Sequence, residues 1–314
     1  MAHQAAIFLQ QQREVRAMDM NEQEIRWAVD IRHAVEDSHE LQNRPDLEYA
    51  HHALVSRGNL NLALARIQGM QYFRDEYKIH DTPEEGLQLL RQFFEKHPGF
   101  VLSVDYDRNH GHFVIVYDYA KRKPKAIDFP KDWRIHLGGF FYLFQAMQYN
   151  IVSMREGLVH ICECEGMGWD NFSMEHVRRS FSDLYEHYPL EHKEISWIRT
   201  PMVANLLHAF MKPLIRPETR QKFRVGCNFY GYEGRIDTIF NIPNASVAQE
   251  NLLQKLRGYL QKRYDNEQTF RLPDLEPGLN DNGDPTNNIM HSDNDSDPSE
   301  GEGEFSDREL MNEE

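Results

Sequence analysis

His160, Cys162 and Cys164 stand two residues apart in the run GLVHICECEG, so on a β-strand they share one face. An imidazole and two thiols suit a soft ion such as zinc, but tetrahedral closure needs a fourth ligand that the sequence does not identify. No metal site is expected. The same residues could form a Cys–His nucleophile pair, yet neighbours two apart on one strand supply no base aligned by a third group. No catalytic residue is assigned, and the chain is not expected to be an enzyme. Asp293, Asp295, Asp297 and Glu304 fall at positions 1, 3, 5 and 12 of a calcium loop, but Pro298 stands where such a loop turns sharply, usually through glycine. A different chemistry lies further upstream. Lys212, Arg216, Arg220, Lys222 and Arg224 form a cationic cluster opposed only by Glu218.

That cluster follows a segment with its own signature. Thr200 and Pro201 read as a helix start, and Met202, Val203, Leu206, Leu207, Phe210, Met211, Leu214 and Ile215 then fall in apolar pairs every four residues. Such a stripe is either the buried face of a core helix or a lid over an apolar cavity. An apolar helix ending in concentrated positive charge also suits contact with an anionic membrane. Upstream, Ile25, Ala28, Val29, Ile31, Ala34 and Val35 give a helical stripe, and Leu54, Leu60, Leu62, Leu64, Ile67, Met70 and Phe73 continue helix-like through Tyr77. Thr82 and Glu85 form a capping box before Leu87 to Phe94. After His97-Pro98-Gly99 the period changes to strands at 100–106 and 112–119, read as a hairpin. Helices over 138–154, 174–187 and 201–215 then alternate with strands at 157–166, 195–198 and 222–226. Short strands separated by helices indicate parallel crossovers, hence an α/β body.

The 314 residues, 40 % hydrophobic, are enough to bury a sizeable core. The net charge of −15 belongs mostly to the end of the chain: residues 271–314 carry −12 and the remainder only −3. A nearly neutral body with an acidic tail argues against nucleic acid. Residues 271–314 are too polar and charged to bury themselves and are expected to be disordered. There Ser292, Ser299 and Ser306 each have an acid three residues on, the pattern of an acidophilic kinase. A tail of this charge would compete with a membrane for the basic cluster. Three cysteines, the absence of a basic leader and the lack of a spanning apolar stretch predict a cytoplasmic protein.

The ordered motifs resemble the CRAL-TRIO lipid-binding family over about residues 45–240. Glu163-Cys164-Glu165-Gly166 is similar to the family's Asp-Leu-Glu-Gly strand end. Tyr188-Pro189, Ile195 to Ile198, Pro201 to Met211, Lys212-Pro213-Leu214 and Pro217 to Val225 are similar to its tyrosine-proline turn, strand, gating helix, Lys-Pro pair and final helix-strand. Resemblance and composition together give the expected organisation: a flexible N-terminus at 1–19, a helical module at 20–95, a lipid-binding domain with a mostly parallel sheet floor and helical walls at 96–265, and a disordered acidic tail at 266–314. It also implies a hydrophobic lipid as the bound ligand, with no other cofactor, and a gate formed by Met202, Val203, Leu206, Leu207, Phe210, Met211 and Leu214. Leu190 stands where the inositol-lipid branch has Glu, so the turn is closer to the tocopherol and retinaldehyde branch. Arg57, Lys193, Arg220 and Lys222 are then expected to converge at the mouth on an anionic headgroup, a phosphoinositide or an anionic membrane surface. The expected activity is lipid carriage with peripheral membrane association. The alternative is a related module that binds a small GTPase or scaffold by its surface and transfers no lipid.

Overall fold

The computed structural model describes residues 20–107, 111–124, 131–149, 151–215, 217–226 and 245–275. The expected N-terminal segment at 1–19, Cys227 and the three tail serines lie outside these residues.

Four helices come first: α1 (Glu22–Ala34), α2 (Asp46–Val55), α3 (Leu60–Tyr77) and α4 (Pro83–Lys96). Asn21 and Glu24 close a full capping box on α1, the Asn21 side chain accepting from Glu24 N at 2.9 Å and the Glu24 carboxylate from Asn21 N at 2.8 Å. At α4 only half of the expected box forms. Thr82 Oγ1 accepts from Glu85 N at 3.3 Å, while the Glu85 carboxylate accepts from His80 N and from the Tyr142 hydroxyl. The helix-like spacing from Leu54 to Tyr77 is two helices, because Arg57 and Gly58 take positive φ of 50° and 75° and Asn59 caps α3 anew. A Cβ at Gly58 would also lie 2.3 Å from the Trp27 ring. Arg74 ties the turn after α3 to α2, donating to both Glu48 oxygens at 2.9 Å and to Asp81.

Strands β1 (Val101–Asp107) and β2 (His112–Asp118) pair antiparallel. Strands β3 (Leu158–Glu163), β4 (His192–Ile198) and β5 (Phe223–Val225) join β2 in parallel, giving one sheet in the order β1-β2-β3-β4-β5. The α/β class with a mostly parallel floor is therefore the observed architecture. Between β2 and β3 run α5 (Trp133–Met147) and α6 (Ile151–Glu156). The apolar residues of α5 bury nearly all of it, only Arg134 and Ile135 of its first turn being partly exposed, and Gly139 lets Phe93 of α4 approach to where a Cβ would be 2.6 Å away. The crossover to β4 is α7 (Met174–Arg179), continued as a π-helical turn over Ser180–Tyr185. Helix α8 (Met202–Met211), a 3₁₀ turn at Lys212–Leu214 and α9 (Pro217–Arg220) lead to β5.

Packing bears on two of the domain boundaries read from sequence. Met70, Phe73 and Tyr77 of α3 and Leu89, Leu90, Phe93 and Phe94 of α4 belong to the same apolar core as the sheet, so position 95 divides no two cores. The tail does not begin at 266 either. Helix α10 (Ala245–Thr269) buries Leu252, Leu253, Leu256 and Leu260 in that core. Beyond it, Leu272 is 5 % exposed among Ala28, Leu47 and Ile151, with its N–H donating to Asp46 at 2.8 Å. Arg32 donates to the carbonyls of Leu272 and Pro273. The polar composition of this stretch concealed one apolar side chain and a set of backbone bonds. Among the described residues no helix is long and apolar enough to cross a membrane.

Candidate functional site

Side chains alternate across each strand, and the sheet uses the two faces differently. Val114, Val116, Val159, Ile161 and Ile198 form a small apolar cluster on one face. The other face presents Tyr117, His160, Cys162, Ile195, Trp197 and Phe223 to a cavity of about 80 Å³. Its walls are Phe140 of α5, Val177, Ser180, Phe181 and Tyr185 of α7 and its π-turn, and Leu207 and Met211 of α8. π-turns recur where a helix must aim several side chains at a site, and this one aims three. A larger groove of about 880 Å³ shares Phe181, Tyr185, His192 and Thr219 with the cavity and is bordered by Arg57, Arg66, Arg178 and Lys222.

The floor is close to electrically neutral. His160 Nε2 and His192 Nδ1 are 2.9 Å apart, and burial holds His160 well below its ordinary value and His192 down to about 3. Both imidazoles are uncharged near pH 7, so one donates to the other, and the His160 ring stacks on Tyr117. Burial pushes the Cys162 thiol and the Tyr117 phenol well above their ordinary values. A protonated thiol is a poor nucleophile. Cys164, expected on the same face, lies past the end of β3 and turns its Sγ to the Cys162 carbonyl at 3.4 Å.

Helix α8 does not turn its whole stripe inward. Ala204, Leu207 and Met211 are buried, while Met202, Leu206 and Phe210 are 78 %, 43 % and 53 % exposed. Val203 is half-buried, and the side chain of Leu214 is outside the described set. Apolar pairs every four residues cover more of a helix than a single contact face can bury, so one residue of each pair is left outside.

The four cations expected at the mouth do not converge. Arg57 and Lys222 meet at the groove, where both pair with Glu191, Arg57 at 3.8 Å. Lys193 is the extra residue where β4 shifts register against β3, and its ammonium pairs with Glu156 at 3.1 Å. Arg220 is half-buried and donates to the Ile215 carbonyl at 3.1 Å. Arg66 and Arg178 border the groove instead, and sequence reading missed them because they lie neither in the cationic cluster nor at the positions the resemblance picks out. It also missed Arg122, Tyr119 and Tyr185 of the cavity. The alternation Phe113, Ile115, Tyr117, Tyr119 was the available signal for the aromatic part.

The Glu163-Cys164-Glu165-Gly166 strand end has a defined role: Arg199, with φ 48°, binds Glu163 at 2.7 Å and Glu165 at 2.6 Å, fastening the end of β3 to the end of β4. This floor, its enclosing helices and the ordered motifs around them agree with a family match: residues 96–230 fit the model of the CRAL/TRIO domain. The chain carries a CRAL/TRIO domain. No curated protein matches the chain. The CRAL/TRIO region as matched runs from the end of α4 through β5, so α10 and the Leu272 segment are additions to it in sequence that pack into its core. The family is one of lipid binding and transfer in general.

Proposed function

We propose that the protein takes a hydrophobic molecule into the cavity under α8 and carries or presents it at an anionic membrane surface. The observation that supports this reading is the aromatic and apolar cavity between the sheet and α8 of the CRAL/TRIO domain, which shares wall residues with a wider groove. Transferring a chain through water costs about 0.8 kcal/mol per methylene, so an enclosed apolar site is what makes a soluble carrier useful. At about 80 Å³ the cavity is below the ~300–1,000 Å³ of ordinary ligand sites, and the groove lies within that range. Loading therefore enlarges the cavity, under α8 as one moving wall and toward the groove past the shared Phe181, Tyr185 and Thr219. Its outward residues Met202, Leu206 and Phe210, followed by the exposed Lys212, suit insertion among anionic headgroups. Arg57, Arg66, Arg178 and Lys222 at the groove are the cations that would meet a phosphoinositide headgroup entering there. The protein acts in the cytoplasm and associates peripherally, and an acidophilic kinase acts on Ser292, Ser299 and Ser306, each followed by an acid three residues on.

The small volume of the closed cavity favours a second reading, a surface module for a small GTPase or scaffold. Native mass spectrometry and organic extraction of the purified protein separate the two. A co-purified hydrophobic molecule, exchangeable with labelled vesicles, is expected. A species of bare protein mass that takes up no lipid from vesicles overturns the carrier reading in favour of the second.

A further inference from the structure

Arg122 follows the 3₁₀ turn Tyr119–Lys121 at the end of β2 and reaches into the cavity wall. It is 7 % exposed. Its backbone is fixed, since Asn171 Nδ2 donates to the carbonyls of Ala120 and Arg122 at 2.8 and 2.9 Å. The guanidinium lies 5.9 Å from the Tyr119 ring centroid, and its Nε has no hydrogen-bond partner. No carboxylate of a described residue pairs with it. The groups that feel its charge are the phenols of Tyr117, Tyr119 and Tyr185, the Cys162 thiol and the imidazoles of His97, His136 and His176. None of these is an anion near neutral pH. Two further buried polar atoms of the same cavity, Tyr117 Oη and Ser180 Oγ, are also without partners.

A buried cation with no counter-charge is costly, and unpartnered buried polar atoms in a native fold call for an explanation. Here one cation and two unpartnered hydroxyls that can donate line one small cavity. From this we infer that the cavity holds the carboxylate of an apolar carboxylic acid, bound by Arg122 with Tyr117 and Ser180, while the tail runs past Phe181 and Tyr185 toward the groove. A monoanion matches the single charge. A phosphate monoester near −2 would leave a net buried negative charge that the neutral histidines do not offset. A neutral alcohol or ester would leave the guanidinium uncompensated. The inference rests on the carrier reading and adds the class of ligand.

The test uses the full chain stripped of lipid, with cis-parinaric acid and its methyl ester as fluorescent probes. The wild type is expected to bind the acid about 30-fold or more tightly than the ester, as loss of one partner of a buried charge pair commonly costs. Arg122→Met should bring the acid down to the level of the ester, leaving ester binding within about threefold. It should also raise the melting temperature of the empty protein, because an unpaired buried charge is removed. Tyr117→Phe keeps the ring and should weaken the acid alone, by about tenfold. Equal binding of acid and ester by the wild type, or an equal loss of both in Arg122→Met, overturns the carboxylate site and leaves the carrier reading standing. Failure of both probes to bind, with nothing in the organic extract, overturns the carrier reading and the carboxylate site with it.

Discussion

The two faces of α8 can be separated by experiment. Met202, Leu206 and Phe210 face outward with exposures of 78 %, 43 % and 53 %, together about 1.7 fully exposed side chains. Burying a large apolar side chain contributes about 1.5–3 kcal/mol, so full insertion of this face into a bilayer surface is worth about 3–5 kcal/mol. Replacing all three by serine should weaken partition onto phosphatidylserine vesicles by about a hundredfold to a few thousandfold. Because the three side chains support little of the folded core, the melting temperature should move by no more than a degree or two. Leu207, 1 % exposed, is the internal control: Leu207→Ala should lower the melting temperature, since core truncations cost about 2–5 kcal/mol, and leave vesicle partition nearly intact. Vesicle co-sedimentation at low salt and thermal unfolding by circular dichroism read the two quantities. Unchanged partition of the triple-serine protein would refute the insertion argument. A large fall in its melting temperature would show that the outward face is covered in solution.

Acid should unfold the protein unusually early. His51, His52, His97, His136, His160, His176 and His192 are all held below the ordinary histidine value by burial. The unfolded chain therefore binds more protons as pH falls below about 6.5, so this stability is present above that pH and is lost from there toward pH 3. At pH 5 each such group costs about 2 kcal/mol, and several acting together approach the ~5–15 kcal/mol of a whole domain. A melting temperature unchanged between pH 7 and pH 5 would contradict the buried, neutral state of these imidazoles. Leu272→Ala should cost about 2 kcal/mol and lower the melting temperature by about 4–8 °C, measured by calorimetry, whereas deleting residues 276–314 should leave it within about 2 °C. An equal effect of the two changes would remove the segment after α10 from the folded body.

The sheet was legible in the sequence because parallel strands buried on both faces read as apolar runs, such as Phe113 to Tyr117 and Leu158 to Cys162. The helices were legible as stripes, although the stripe of α8 did not say which of each apolar pair faces inward. Breaks were harder: Ser56 to Asn59 interrupts α2 and α3 through positive φ at two residues, which a periodic pattern passes over. The cavity was the least legible part. Arg122 lies in the run Lys121-Arg122-Lys123-Pro124-Lys125, whose composition suggests a solvated loop, and only the turn after β2 carries it inside. Leu272 misled for the opposite reason, since one buried leucine in a polar stretch leaves the average composition of a tail.

The strands follow one another in order across the sheet, so its two edges are made by opposite ends of the domain. At one edge β1 is backed by α10, which also packs on α4 and α5 and continues into the Leu272 segment against α1 and α2. At the other, β5 has three residues and, among the described residues, pairs with β4 alone, close to α8 and α9. The molecule thus has a spine and a fore-edge. Amide exchange should be slowest along β1 to β3 and fastest at β5, because local opening follows the least packed hydrogen bonds. Cargo can then enter by parting the fore-edge without loosening the spine, so the speed of loading and the resistance to unfolding are set by different residues and can be altered independently.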